Sequence, residues 1–415
     1  MTAFISQPVP AQGSSQYGIL LPIQTMTMRL IAPYQSRGMF YLKKVENTLD
    51  ALNVVSLSLS NSFYFISCRF SVNQGKLYSI KLERVQDKSL LIVSGDEGVS
   101  VFDWDKDIWK AHLQSASPKT STKTMSLNPL STFQPHPSPL EAKGIEVNEI
   151  ELVQQGSKSY LFGAAGDSFG AYKWDLSTER LVANYATTCG GYLHAIRLLP
   201  SDDGSDAKQT LLTGGEGGKL SFWDVSADKL IDKVDLTTVT SASTLSTLSS
   251  SKSNSSLHRS NSMNKRSKSA PARWISSICA QDQNWLTVGG GTGGGPGSRG
   301  SGNAGGFLAT FHGPTRSLIS FAETRETPQQ LAIFPSSSSD ADFEHHTLVS
   351  VANEGVVSHF NSLTLERTRR LWCTPPSAYA TSVSEDGKYT AVAGVGCLVD
   401  VFNASGEKSM RLSIY

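Results

Sequence analysis

Three stretches of the chain carry residues whose types and spacing invite chemistry. Gly289, Gly291 and Gly294 spell GxGxxG directly after the apolar run Asn284-Trp285-Leu286-Thr287-Val288, the spacing with which a tight turn holds a pyrophosphate. Such a site needs a helix that opens at the third glycine, so that free amides and the helix dipole meet the anion. Here Pro296, Gly297, Ser298 and Arg299 follow, with no crossover helix, second parallel strand or acidic ribose ligand in place. Eleven of the chain's 35 glycines fall within residues 287–311, so a formal match arises from composition alone. Residues 289–306 therefore read as a Gly-rich hairpin loop, and no cofactor is expected.

His345 and His346, in DADFEHHTL with Asp340, Asp342 and Glu344, gather metal-ligating types. They lack the helical HxxxH or HExxH spacing of a zinc site and the glycine and closing glutamate of a calcium loop, so they read as a solvated loop and no metal is expected. GGKL at Gly217 to Leu220 has neither the spacing nor the hydroxyl of a phosphate-binding P-loop, and no Gly-x-Ser-x-Gly elbow stands between a strand and a helix.

The third stretch is SKSNSSLHRSNSMNKRSKSAPAR, with Lys252, Arg259, Lys265, Arg266, Lys268 and Arg273 and no acid between Asp235 and Asp282. Arg266-Ser267-Lys268-Ser269-Ala270-Pro271 fits R-S-x-S-x-P, a pattern that 14-3-3 proteins bind once its second serine is phosphorylated, because the new dianion pairs with arginines of the partner. Ser269 and Ser262 are thus the candidate phosphosites. Lys265, Arg266 and Lys268 also form a short nuclear-import patch. The patch offers RNA only a weak electrostatic contact, since no aromatics are interleaved to stack on bases.

Composition sets the frame for these stretches. The chain has 415 residues, and its 37 Lys+Arg against 36 Asp+Glu leave a net charge of +1, so no global field favours nucleic acid or an anionic membrane. The five cysteines are odd in number, scattered and never in a C-x-x-C pair, which points to a reducing compartment rather than a disulfide framework or zinc knuckle. The uncharged stretch from Ala51 to Cys68 is long enough to suggest a membrane span. Ser56, Ser58 and Ser60 alternate there with Val55, Leu57 and Leu59, which is the period of a strand, so no membrane association is expected. The first residues show no basic segment followed by an apolar one, and secretion is not expected.

The elements that would position any site come from an internal repeat. LIVSGDEGVSVFDWD, YLFGAAGDSFGAYKWDLS and TLLTGGEGGKLSFWDVS each contain an apolar strand, a Gly-Asp/Glu-Gly turn and an alternating strand ending at Trp104, Trp174 or Trp223. Fainter copies end at Phe311, Phe360 and Phe402. The intervals between these aromatics are 70, 49, 88, 49 and 42 residues, and those near 40–50 match a four-stranded WD-type propeller blade. The long ones need insertions, which show as composition shifts: residues 113–143 are rich in Ser, Pro, Thr and Lys, and residues 237–272 are basic and dominated by serine. Both are expected to be disordered. The six aromatics are expected to pack between neighbouring sheets. Asp175 and Asp224 are expected to cap turns. The fold class is thus all-β: a WD-repeat β-propeller with seven blades, of which residues 74–415 supply the clear ones. Residues 1–73 form an atypical segment that is a degenerate first blade or closes the ring by pairing with the last one.

Two stretches go beyond a generic repeat. ARWISSICAQDQNWLTVGGG, with Arg273, Trp274 and Trp285, and the tail AVAGVGCLVDVFNASGEKSMRLSIY both resemble the THO complex subunit 6 family, and EVNEIELV at Glu146 to Val153 looks like the same family. The likeness covers residues 74–415 with the two inserts set aside. It implies a non-enzymatic seven-bladed scaffold in the nucleus, docked on the coiled-coil subunits of the THO/TREX assembly that couples transcription and messenger RNA processing to export, with RNA contact indirect. A second reading is a substrate receptor of a cullin-type ubiquitin ligase. Such receptors often carry arginine two places after Trp-Asp, where this chain has Ser177 and Ser226. A third, a propeller enzyme, would show a clustered acid/base pair in the central funnel.

Overall fold

The computed structural model describes residues 52–59, 63–71, 77–104, 106, 125–126, 128–135, 145–166, 170–186, 191–199, 209–239, 272–293, 305–334, 347–384, 387–396 and 398–413. Among them the regular elements are strands, save one 3-10 turn at Leu236–Thr238. The N-terminal strands β1 (Leu52–Leu59), where serine alternates with apolar residues at the period of a strand, and β2 (Phe63–Ser71) pair antiparallel, and the short β6 (Met125–Ser126) runs parallel to β2.

Six four-stranded antiparallel sheets follow, each a meander. The first holds β3 (Leu77–Val85), β4 (Lys88–Gly95), β5 (Gly98–Asp103) and β7 (Ser131–Phe133). The second holds β8 (Val147–Gln155), β9 (Lys158–Ala165), β10 (Gly170–Asp175) and β11 (Arg180–Ala186), and the third β12 (Leu193–Leu199), β13 (Thr210–Gly215), β14 (Lys219–Asp224) and β15 (Lys229–Asp235). The fourth holds β16 (Arg273–Ala280), β17 (Trp285–Thr292), β18 (Gly306–His312) and β19 (Ser317–Thr324). The fifth holds β20 (Pro328–Phe334), β21 (Thr347–Ala352), β22 (Val356–Asn361) and β23 (Arg367–Trp372), and the sixth β24 (Ala378–Val383), β25 (Tyr389–Gly394), β26 (Leu398–Asn403) and β27 (Lys408–Ser413).

The first strands of successive sheets, β3, β8, β12, β16, β20 and β24, lie one beside the next, so the sheets stand as blades around an axis. Burial follows from that geometry. One apolar cluster sits between each neighbouring pair of blades, and each contains an aromatic from the third strand: Trp174, Trp223, Phe311, Phe360 and Phe402 in turn. Trp104, one residue beyond β5, is buried as well. A Trp or Phe at this position fills the wedge between two diverging sheets, which smaller residues would leave open.

Three hairpins show why the Gly-Asp/Glu-Gly turn recurs. Gly98, Gly218 and Gly355 close the turns between second and third strands with φ of 92°, 63° and 66°, a region that costs other residues energy. Between β17 and β18 the glycines serve packing instead. A Cβ on Gly290 would strike the backbone of Trp274, and one on Gly291 its indole ring. Gly289, Gly290 and Gly291 are strand residues, with Gly291 opposite Gly306, so the loop is shorter than the 289–306 expected from composition.

Of the segment 113–143 expected to be disordered, residues 113–124, 127 and 136–143 lie outside the described residues, but Ser131–Phe133 adds the outer strand of the first blade, and Phe133 is buried against Trp174 with ring centroids 6.1 Å apart. A serine- and proline-rich composition does not exclude a three-residue strand whose one apolar side chain enters a preformed wedge. The basic segment 237–272 likewise begins in order: Thr237, Thr238 and Val239 continue from β15, with the Asp235 carboxylate accepting from the Thr237 amide. Residues 1–51 of the N-terminal segment expected to close the ring lie outside the described residues. Among the described residues, β27 completes the sixth sheet from the contiguous chain, and β1 and β2 pair with each other and with β6.

Candidate functional site

All six first strands put polar side chains on the axis. Tyr78 and Ser79 (β3), Asn148 and Glu149 (β8), His194 (beside Leu193 on β12), Ser276 and Ser277 (β16), Gln329 and Gln330 (β20) and Tyr379 (β24) enclose a cavity of about 30 Å3. A second cavity of about 350 Å3 shares Glu149, Ser277 and Gln330 with the first and continues past Arg197, Cys279, Gln281 and Thr381. The two are parts of one axial channel, and Glu149 stands where they meet.

Arg197 of the channel lining belongs to a buried charge cluster. Lys81, 1% exposed, gives its ammonium to Glu151 at 2.5 Å, and Arg197 reaches the other Glu151 oxygen at 3.0 Å. Three blades are thereby joined through β3, β8 and β12. An ion pair this deep must be well bonded to offset its desolvation, and two cations on one carboxylate achieve that. Acid and base types thus meet beside the axis in this cluster of Lys81, Glu151 and Arg197.

Glu149 is different. Its Oε2 accepts from the Ile196 amide at 2.8 Å, and that is the only hydrogen bond its carboxylate makes within the described residues. Enclosure by the ring pushes its pKa up to about 7, with repulsion from Glu151 adding to the effect and the Ile196 amide, Lys81 and Arg197 opposing it. Burial also lifts the Cys279 thiol, to about 11, which keeps it protonated and unreactive at neutral pH.

Antiparallel alternation puts the turns between second and third strands at the same end of the ring as the start of each first strand. That end carries Asp96, Glu97, Glu216 and Glu354 in those turns. Two of them lean on the channel lining. Tyr78 donates its hydroxyl to Asp96 at 2.7 Å, and His194 lies 3.9 Å from Glu216. Burial raises the pKa of Glu354 above the ordinary carboxyl value.

The outer strands give the ring a different surface. Leu181 and Val182 on β11, Leu230 and Ile231 on β15, Ile319 on β19 and Trp372 on β23 are exposed, Trp372 to 63%. They lie on the fourth strands of four consecutive blades. These strands are sheet edges, with backbone groups available for pairing and apolar side chains beside them.

The residues singled out in the sequence divide accordingly. Trp104, Trp174, Trp223, Phe311, Phe360 and Phe402 are core. Trp223 also donates its indole N–H to Thr213 Oγ1 at 3.0 Å. Asp175 and Asp224 cap turns in the same way: each accepts from the serine two residues on, through both amide and hydroxyl, and from the next amide. The Ser177 and Ser226 hydroxyls, ahead of the backbone amides, hold the two carboxyls below the ordinary range. Asn361 makes the same cap with Leu363 and Thr364. Ser262, Ser269, Lys265, Arg266 and Lys268 lie outside the described residues, as do His345, His346, Asp340, Asp342 and Glu344.

Sequence reasoning missed the channel set. Glu149 and Glu151 fall inside EVNEIELV, where two carboxylates at alternate positions of a buried strand were a signal in plain view. The two cationic partners of Glu151 are 70 and 46 residues away in sequence, and the Ile196 amide bound by Glu149 is 47 away, which no local pattern reveals. Arg273 is the second such residue. It is buried, donates to the carbonyls of Leu236 and Val239, and lies over the Phe321 ring at 4.6 Å. Asp400 is the third, fully buried in the tail GVGCLVDVF, accepting from the Thr374 hydroxyl at 2.9 Å and pairing with Lys408 at 2.8 Å.

No protein-family model matches this chain, and no curated protein matches it. Among solved structures, the chain is similar to the crystal structure of Chaetomium thermophilum Raptor, with 13% identity and a TM-score of 0.49 over 80% of this chain. The match spans 24% of the length of that chain.

Proposed function

We propose that this protein is a non-enzymatic propeller scaffold that works in the nucleus as a subunit of the THO/TREX assembly. There it would serve the coupling of transcription and messenger RNA processing to export. The observation that carries the scaffold role is the exposed apolar row on the outer strands of four consecutive blades, Leu181 and Val182 through Trp372. Large apolar side chains set beside sheet edges are what a long helical partner, such as a coiled-coil THO subunit, would cover. The choice of assembly rests on the stretches that resemble the THO complex subunit 6 family. Two of them contain Arg273 and Asp400, whose buried networks hold the fourth and sixth blades.

A seven-bladed ring belongs to the same reading. No packing comparable to that of the other first strands joins β24 to β3, and the sheet of β1, β2 and β6 is the candidate for the place between them. Both flanking faces are buried: Leu91, Val93 and Phe102 on the first blade, Ala380, Ala393 and Val399 on the sixth. Phosphorylation of Ser269, or of Ser262, would add a 14-3-3 contact on the basic segment. RNA contact would be indirect or weakly electrostatic.

Affinity purification of the tagged full chain from nuclear extract tests the proposal. THO coiled-coil subunits should be recovered, and the double substitution Leu230→Asp and Ile231→Asp should reduce their recovery at least ten-fold while the chain stays folded. Recovery of cullin adaptors without THO subunits would overturn it.

A further inference from the structure

We infer that the axial channel is a binding site for a primary alkylammonium group, which enters from the end carrying Asp96, Glu97, Glu216 and Glu354 and seats on the carboxylate of Glu149. The upper cavity has a lining without lysine or arginine. It holds one carboxylate with an oxygen that makes no hydrogen bond to the described residues, and a ring of hydroxyl and amide groups. Ser79, 4% exposed, lines the same cavity, and its hydroxyl has no hydrogen-bond partner among the described residues. A buried acceptor left unmatched costs about 1–3 kcal/mol, and an ammonium with three donors satisfies it together with Glu149.

Geometry selects among cations. A guanidinium pairs best with both oxygens of a carboxylate, and the Ile196 amide already occupies one oxygen of Glu149, whereas a compact –NH3+ can use the other oxygen together with scattered hydroxyls. Tyr78 and Tyr379 stand in the same lining, where ring faces and edges can flank the alkyl stem. The carboxylates of the turns at that end supply a field that draws a cation towards the channel.

The ligand has two sources of the same chemistry: a free alkylamine or the side chain of a lysine in a peptide. The charged and titratable groups around Glu149 are Glu151 on its own strand, Lys81 on β3, Arg197 and His194 on β12 and Cys279 on β16. Two cations, Lys81 and Arg197, face two carboxylates, Glu151 and Glu149, so the set is neutral when Glu149 is ionised and carries +1 when Glu149 is protonated, which disfavours a bound ammonium at the lower pH.

Calorimetric titration of the full chain, at about pH 8 and about pH 6, uses n-butylamine and three blocked tripeptides with lysine, acetyl-lysine or arginine at the centre. The lysine peptide should bind, and the acetylated and arginine peptides should bind at least ten-fold more weakly. Affinity should fall about ten-fold from the higher to the lower pH, because the seat must give up its proton first. Glu149→Gln should abolish binding at both. Binding of n-butylamine as well as the peptide identifies the ammonium alone as the ligand; binding of the peptide alone identifies a lysine held in a chain. Absence of binding by both, or equal binding by acetyl-lysine, overturns the inference even if the Gln variant does not fold. The nuclear purification above is unaffected by either outcome, since it reads the outer strands.

Discussion

Removing Glu151 should expose how far the ring depends on its inner ion pairs. In Glu151→Leu, Lys81 keeps its ammonium at 1% exposure without the carboxylate that stands 2.5 Å from it, and Arg197 loses its contact with Glu151 at 3.0 Å. Leaving one member of a buried pair uncompensated costs about 3–5 kcal/mol, a large share of the stability of an ordinary domain. The sign of the second step is opposite. Adding Lys81→Met to Glu151→Leu removes the stranded charge and replaces it with an unbranched apolar chain of similar length, so most of the loss should return. Urea unfolding followed by tryptophan fluorescence measures both, with the midpoint reporting stability and the slope reporting any change in the unfolded state. Three chains suffice: the wild type, the single variant and the double variant. A single variant within about 1 kcal/mol of wild type would refute the assignment of this triad to the joint between three blades. So would a double variant no more stable than the single one.

Three further outcomes follow from the packing. Trp223→Phe should cost about 1–3 kcal/mol, because it leaves the buried Thr213 hydroxyl without its indole donor as well as shrinking the ring that meets Tyr185; thermal melting checks it. His359 is buried beside Phe334, and burial, with the nearby Arg369 charge, lowers its pKa to about 4. Its neutral form is favoured by folding, so the stability it contributes is complete above about pH 6.5 and is lost as pH falls towards 4; His359→Leu should flatten that part of the pH profile. Arg273→Met should speed amide exchange across β16 by at least ten-fold, since the guanidinium no longer holds the Leu236 and Val239 carbonyls, and exchange that stays unchanged would contradict its clamping role.

Much of the fold was legible because each blade repeats its own local rules. The turn glycines, the aromatic near the end of the third strand and the side-chain oxygen that caps the next turn recur at Trp174 and Asp175, at Trp223 and Asp224, and at Phe360 and Asn361. Each is dictated by a neighbour a few residues away. What was not legible depends on distant parts of the chain. Phe133 is buried because Trp174 offers it a wedge, while its own surroundings look like a linker. The channel escaped for the same reason. Glu149 and Glu151 look like ordinary charged positions until six separate strands, from Tyr78 to Tyr379, are brought around one axis. Of the GxGxxG, Gly289 and Gly291 are strand positions, and Gly291 makes room for Trp274.

The clamp made by Arg273 has a consequence for chain length. Its side chain holds Val239, near the start of the basic segment, and the Ala272 carbonyl at the end of that segment accepts from Gly293, where the glycine-rich connection departs. Both insertions therefore leave and re-enter the ring at one fixed corner, with their ends already brought together by the fold. The entropy of closing such a loop grows only with the logarithm of its length, so doubling either one costs about 0.6 kcal/mol. The ring can thus take up or shed sequence at this corner almost without penalty, so the lengths of the two segments are set by what they do rather than by what the propeller tolerates.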